Sequence, residues 1–261
     1  NKGMVPYIKQ EIYSENIGMK AVILAGGEGT RLYPVTKVTN KHLLPIYDRP
    51  VIQYAVDKMI SYGIKDVLII TNATYLLNFK RLFAQEKSCR ISFIVQKEAK
   101  GIAHGLLLAK KFIGDDSFLF WLGDGIVEDD ISRHIHGFTT GAKVFIKRVP
   151  DPERFGVATV DRKHHVLEII EKPKVPKSHY AVTGIYLYDN TVFKKMKNQP
   201  MSARGEYEIT YVNNKYIEES TLKAVFLKKQ WFDIGTFESL YKATKFIRQK
   251  SHKNGASHTS S

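Results

Sequence analysis

Three glycines, a threonine and an arginine stand together in Gly26-Gly27-Glu28-Gly29-Thr30-Arg31-Leu32, with Lys41 and Leu44-Pro45 following. Glycines let a backbone approach a ligand, and successive N–H groups can cradle phosphate oxygens. Arg31 and Lys41 add positive charge to the same stretch. The stretch is neither a Walker loop nor a GxGxxG dinucleotide fingerprint. A Gly-rich turn alone would do no more than reverse the chain. The Thr-Arg-Leu continuation and the lysine ten residues after the arginine point instead to triphosphate binding.

Other reactive residue types are less promising. The nine histidines contain no HExxH pair. His134 and His136 are two apart and cannot share a helical face. His164-His165 fall in an expected hairpin turn. The single cysteine, Cys89, allows no internal disulfide and no Cys-rich metal site; beside an expected strand, it reads as packing. Glu128, Asp129 and Asp130 read as the solvated start of a helix.

These groups need a scaffold, and the chain's pattern supplies one. Its 261 residues suit one large α/β domain, and 43% hydrophobic residues suffice for a core. Apolar runs at 20–24, 66–71, 91–95 and 118–122 read as strands. Helical spacing at 51–61, 76–84 and 101–112 alternates with them, which predicts a mainly parallel sheet. The glycine loop, residues 25–32, directly follows the first strand, where a nucleotide loop belongs in an open α/β sheet. Later strands at 143–148, 157–160, 166–170 and 182–188 have shorter connections and predict mixed or antiparallel pairing. Helices are expected at 206–220 and 236–249.

The formal net charge is +14. Lysines are spread along the whole chain, and no zinc-finger or RNP-type motif occurs. The excess therefore reads as a solvated face that also favours small polyanions, with no nucleic acid expected. No apolar run nears the roughly 18 residues that span a bilayer, so no membrane partner is expected. Residues 1–18 lack the apolar segment of a secretory signal, making a cytoplasmic location the default. Met19 could be an original start, with 1–18 a natural extension or a cloning remnant. Residues 251–261, polar and small, are expected to be a disordered tail.

From Met19 to about Ile247 the chain resembles the sugar nucleotidylyltransferases, and within them the glucose-1-phosphate thymidylyltransferases. The resemblance implies a Rossmann-like three-layer α/β fold with a mixed, mainly parallel central sheet. One domain would cover 19–250, with a nucleotide half at about 19–140 and a sugar-phosphate half at about 141–250. The implied reaction joins dTTP to glucose 1-phosphate, giving dTDP-glucose and pyrophosphate for nucleotide-sugar and cell-surface polysaccharide synthesis. The alternatives are UTP or another hexose 1-phosphate, or a non-catalytic sensor of the same fold.

The resemblance also assigns residues. Gly26, Gly27, Gly29 and Thr30 would wrap the nucleotide phosphates, gripped by Arg31 and Lys41. Gln96 and Gly101 would read the pyrimidine, although Ala99 stands where the family usually has Pro. Asp124, followed by Gly125 in place of the common Asn, and Asp233 in Trp231-Phe232-Asp233-Ile234-Gly235-Thr236 would share one Mg2+. Asp151-Pro152-Glu153-Arg154-Phe155-Gly156-Val157, with Phe155 for the usual Tyr, would line the sugar through Gly156. Glu171, Lys172, Val182, Tyr186 and Arg204 complete the sugar-phosphate set, Lys172 also counting as catalytic. A homo-oligomer is implied. Longer members carry extra C-terminal helices around a second nucleotide site, so a short form without them is expected.

Overall fold

The computed structural model describes residues 18–256. Strand β1 (Lys20–Ala25) is almost wholly buried, as a strand covered on both faces must be. The glycine loop leaves its end. The ribbon of β2 (Pro45–Ile46) and β3 (Arg49–Pro50) precedes helix α1 (Val51–Ser61). Next come β4 (Asp66–Thr71), α2 (Leu76–Leu82), β5 (Arg90–Val95), α3 (Ile102–Leu108), α4 (Lys110–Ile113) and β6 (Phe118–Leu122). After β7 (Gly125–Val127) and α5 (Ser132–Ile135) the texture changes. Strands β8 (Ala142–Arg148), β9 (Gly156–Val160), β10 (Val166–Glu171) and β11 (Tyr180–Tyr188) follow closely. Then come α6 (Val192–Lys195), α7 (Ile209–Glu218), β12 (Leu222–Phe226), β13 (Trp231–Asp233) and α8 (Phe237–Ala256).

The main sheet runs β10-β9-β11-β6-β1-β4-β5, with β8 on β11 and β12 on β8. Pairing is parallel for β1 with β4 and β6, β4 with β5, and β8 with β12. It is antiparallel around β11 and between β9 and β10, as the short connections predict. The chain leaves β1 toward β4 and β5, then returns to β6 on the other side. Strand order reverses between β1 and β6, and ligands of open α/β sheets bind beyond the carboxyl ends at such a point. Gly26 follows β1 there, and Gly123-Asp124 follows β6.

Period-two alternation divides the core between the two faces. Ala21, Ile23 and Ala25 join Trp121 and the inner face of α1, while Val22 joins Phe120, α3 and α7. A third cluster joins Leu32 of the glycine loop to Ile46, Val51, Ile126, Ile234 and Ala243 of α8.

Four expectations need correction. The helix expected over 101–112 starts at Ile102, after Gly101 with φ 100°, and is two, α3 and α4, because the turn tightens at Ala109, whose N–H donates to Leu106 O at 2.9 Å. The helix expected from 206 starts at Ile209, since Tyr207 uses its backbone to bind Lys100 O and the Ala103 N–H. Glu128 and Asp129 do not begin a helix. Asp129 accepts the Lys228 and Lys229 N–H groups at 3.0 and 2.8 Å, and Glu128 pairs with Lys250 at 2.9 Å. The expected tail from 251 continues α8 through Ala256, each added residue gaining one hydrogen bond once the helix exists. Residues 257–261 and the expectations for 1–17 lie outside the described residues.

Cys89 is buried, and burial pushes its thiol up to about 11, in keeping with a packing role. Strand β11 is tied to α7 by Tyr188 Oη donating to Asn213 Oδ1 at 2.5 Å, both residues being buried. Tyr188→Phe would leave that buried oxygen without its donor. We expect a loss of about 1–3 kcal/mol, seen as a lower urea midpoint with unchanged m-value.

Candidate active site

The glycine loop closes on itself through the Leu32 N–H donating to Gly29 O at 2.9 Å, and its neighbours hold it in place. Buried Leu32 anchors it, and Thr36 Oγ1 donates to Gly29 O at 2.7 Å. Lys41 lies back over it: a Cβ on Gly29 would stand 3.1 Å from Lys41 Cβ, and one on Gly27 would stand 3.5 Å from Lys41 Cε. Asn40 fixes that return. Its Nδ2 donates to Ala25 O at 3.2 Å, and its Oδ1 accepts the His42 N–H at 2.9 Å. Burial first, and the adjacent Lys41 charge second, push buried His42 down to about 3, so it is neutral. Asn40 and His42 were invisible as site supports in the sequence, where nothing but their position beside Lys41 marks them.

The acids meet through strand pairing. In the β7–β13 ladder Asp233 lies opposite Gly125, and the Ile234 N–H donates to Asp124 O at 3.0 Å. Asp124 is 8% exposed and its carboxylate takes the Lys41 ammonium. Burial alone would raise Asp124, but Lys41 overrides it and holds the carboxyl below its ordinary range. Asp233 is pushed up to about 6 by burial and then by the Asp124 charge, offset only in part by Lys41, Arg31 and Arg154. Arg31 reaches this pair. A Cβ on Gly235 would stand 2.6 Å from Arg31 Nη2 and 3.0 Å from Asp233 Oδ2.

Arg154 was quoted in sequence only as part of a segment, yet its charge acts on Asp233. It pairs with Asp151 at 2.6 Å and lies over the Phe155 ring, which packs edge-on to Trp231 at 5.2 Å. That aromatic contact joins the acid pair to the sugar-side segment.

Beyond β5, the buried Gln96 side chain sits beside Gly26: a Cβ there would be 2.7 Å from Gln96 Oε1. Gly101 is close by in sequence but serves the backbone. With φ 100°, it presses on Tyr207, where a Cβ would meet the carbonyl oxygen at 2.6 Å and the nitrogen at 2.8 Å.

At the β9–β10 strands, Glu171 is the hub. Thr210 Oγ1 donates to its Oε2 at 3.0 Å, and Gly156 faces it across the β9–β10 ladder. Lys172 Nζ and Arg204 Nη1 stand 3.9 and 3.7 Å from its Oε1. Arg204 is also held by Glu206 and Glu208 at 3.0 Å each. Tyr186 is buried, and burial with the Glu171 charge pushes its phenol well above the usual range. Between Val182 and Tyr186 the β8–β11 register shifts, at Gly184 with φ 79°. The structure thus gathers Arg31, Lys41, Asp124 and Asp233 at the glycine loop, and Gly156, Glu171, Lys172, Tyr186 and Arg204 at a second focus. Thr30 lies at the start of a 3-10 turn on the loop, exposed.

The nucleotidyl transferase family profile matches residues 20–250. The chain is 40% identical over 238 residues to a glucose-1-phosphate thymidylyltransferase of Neisseria meningitidis, covering 88% of this chain and 83% of that one. Among solved structures, one from Bacillus anthracis, assigned as a glucose-1-phosphate thymidylyltransferase and complexed with sucrose, has a TM-score of 0.83 at 46% identity. It covers 88% of this chain and 95% of its own. A UDP-glucose pyrophosphorylase complexed with UDP-glucose has a TM-score of 0.78 at 25% identity, covering 89% and 99%.

The Gly101 contact makes a direct test of how the wall beside Gln96 is built. Gly101→Ala would force a side chain into a backbone region that is essentially glycine-only and against Tyr207. We expect a loss of about 1–3 kcal/mol in chemical denaturation, with weaker nucleotide binding by calorimetry as α3 and the Tyr207 strap separate.

Proposed function

This chain belongs to the nucleotidyl transferase family, and from that membership we propose that it transfers a thymidylyl group from dTTP to glucose 1-phosphate, releasing pyrophosphate and dTDP-glucose. The observation that carries the reading is the convergence of Arg31, Lys41, Asp124 and Asp233 where strand order reverses. The naming of relatives at 40% identity supports the substrate pair.

The chemistry needs little acid–base help. A sugar phosphate oxygen is already anionic near neutral pH. It forms a bond to the α-phosphorus as the bond from that phosphorus to the bridging oxygen breaks, and pyrophosphate leaves with the electron pair. Catalysis is then positioning and charge neutralisation. Arg31 neutralises charge growing on pyrophosphate, and Lys41 holds the triphosphate over Gly26, Gly27, Gly29 and Thr30. Gln96 reads the base, with Gly101 shaping the wall beside it. Glu171 accepts from sugar hydroxyls, Lys172 and Arg204 hold the sugar phosphate, and Gly156, Val182 and Tyr186 orient the hexose.

The carboxyl groups of buried Asp124 and half-buried Asp233, brought to one place by the β7–β13 ladder, with Asp233 raised by desolvation and then by the Asp124 charge, form a donor set that suits Mg2+. That ion typically takes one or two carboxylates plus phosphates and waters. Asp124 and Asp233 would hold it, and when bound it supplies charge neutralisation at phosphate oxygens. A homo-oligomeric, cytoplasmic enzyme of nucleotide-sugar synthesis belongs to the same proposal. Among the described residues, no helix is long and apolar enough to cross a membrane.

Pyrophosphate release over a panel of nucleotides and sugar 1-phosphates tests the proposal. We expect dTTP with glucose 1-phosphate to lead, UTP to follow because one methyl is worth only about 1–3 kcal/mol, and purines to fail. Preference for ATP, GTP or CTP would overturn it. In the same assay Arg31→Ala should lower kcat by on the order of 10²–10³-fold, as loss of one oxyanion donor does. A rise confined to the KM for glucose 1-phosphate would remove Arg31 from the leaving group.

A further inference from the structure

Gln96 stands at the end of β5, its N–H donating to Thr71 O at 2.7 Å and its side chain only 5% exposed. The two ends of its amide have different surroundings. Nε2 lies 3.2 Å from Nδ1 of His104, which sits on α3 with its ring tilted against Tyr207 at 6.4 Å. Oε1 lies on the other side, beside Gly26 and Gly105, where added Cβ atoms would be 2.7 and 3.4 Å away.

An amide presents two donor hydrogens at one end and an acceptor at the other. Thymine and uracil offer an acceptor, O4, beside a donor, N3–H. Cytosine offers the reverse, an N4 amino donor beside an N3 acceptor. Turning the glutamine amide over therefore exchanges one reading for the other, with nothing else moved. A residue that fixes the amide's direction fixes the base class.

We infer that His104 is a positioning residue for base choice: its Nδ1 accepts one Gln96 Nε2 hydrogen and locks Oε1 toward Gly26. The second Nε2 hydrogen and Oε1 then remain for O4 and N3–H of a thymine or uracil base, and cytosine meets donor against donor and acceptor against acceptor. The inference rests on the proposed reading of Gln96 as the base contact. Gly105, next to His104, keeps the space beside Oε1 open; a side chain there would also strike Leu24, with its Cβ 2.6 Å from Leu24 Cδ1.

The test compares His104→Leu, which removes the acceptor, with His104→Asn, whose Oδ1 can restore one close to the Nδ1 position. Steady-state rates are measured with dTTP and dCTP. In His104→Leu the preference for dTTP over dCTP should fall by about three- to tenfold, the change that one neutral hydrogen bond carries. The loss should fall on the nucleotide KM rather than on kcat or the glucose 1-phosphate KM, and His104→Asn should recover most of it. An unchanged preference in a folded His104→Leu, or a loss shared by kcat and the sugar KM and not recovered by Asn, would overturn the inference. Should wild-type enzyme turn over no pyrimidine nucleotide, the reading of the site fails instead. The shift in melting temperature of each variant with dTTP and with dCTP then decides His104 alone: equal selectivity in wild type and His104→Leu would overturn it.

Discussion

Two carboxylates in one poorly hydrated place repel each other, and the surroundings of the glycine loop are arranged to answer that repulsion. Asp124 stays ionised because Lys41 touches it. Asp233 is left raised by burial and by the Asp124 charge, which Lys41, Arg31 and Arg154 offset only in part. Buried His42, kept neutral, adds no competing charge beside Lys41. Removing one charge from such a cluster changes the protonation of the others, so the pair and its cations act as a unit.

Bringing the pair together falls to apolar packing. The two-strand ladder of β7 and β13 sets Asp233 opposite Gly125, but three paired residues cannot hold a register alone. Ile126 and Ile234 flank the acids in sequence and are buried in one cluster with Leu32 of the glycine loop and Ala243 of α8. The same side chains therefore fix the acid strands, the glycine loop and the last helix against each other. Glu128 ties in from the other side, through Lys250 of α8 and the Gln230 N–H. At the second focus, Trp231 passes the constraint to Phe155 and so to the β9–β10 ladder that presents Glu171.

Much of this was legible before the structure, and the reason differs by element. β1, β4 and β6 are buried on both faces, so their apolar runs stand out, and the glycine loop is written within a few consecutive residues. Asp124 and Asp233 are different, since each alone looks like a turn or cap residue. Only family resemblance paired them, because pairing is made by a ladder between distant segments. Gly101 was expected to contact the base, but its contact with Tyr207 was not legible, and that contact also explains why α7 starts late. Arg204 was expected at a phosphate, and the three glutamates around it appear in no local pattern that includes Glu171. The extension of α8 was missed because residues 251–256 carry little apolar periodicity and include Asn254 and Gly255, which disfavour a helix interior.

Whether Asp124 and Asp233 work as one site is measured by a double-mutant cycle on turnover. Pyrophosphate release from dTTP and glucose 1-phosphate would be followed at saturating Mg2+ for wild type, Asp124→Asn, Asp233→Asn and the double variant. Residues acting as a unit are strongly non-additive. The account predicts that each single change removes most of kcat and that the double variant loses little more. Losses that multiply across the two sites, or wild-type turnover in either single variant, would contradict it.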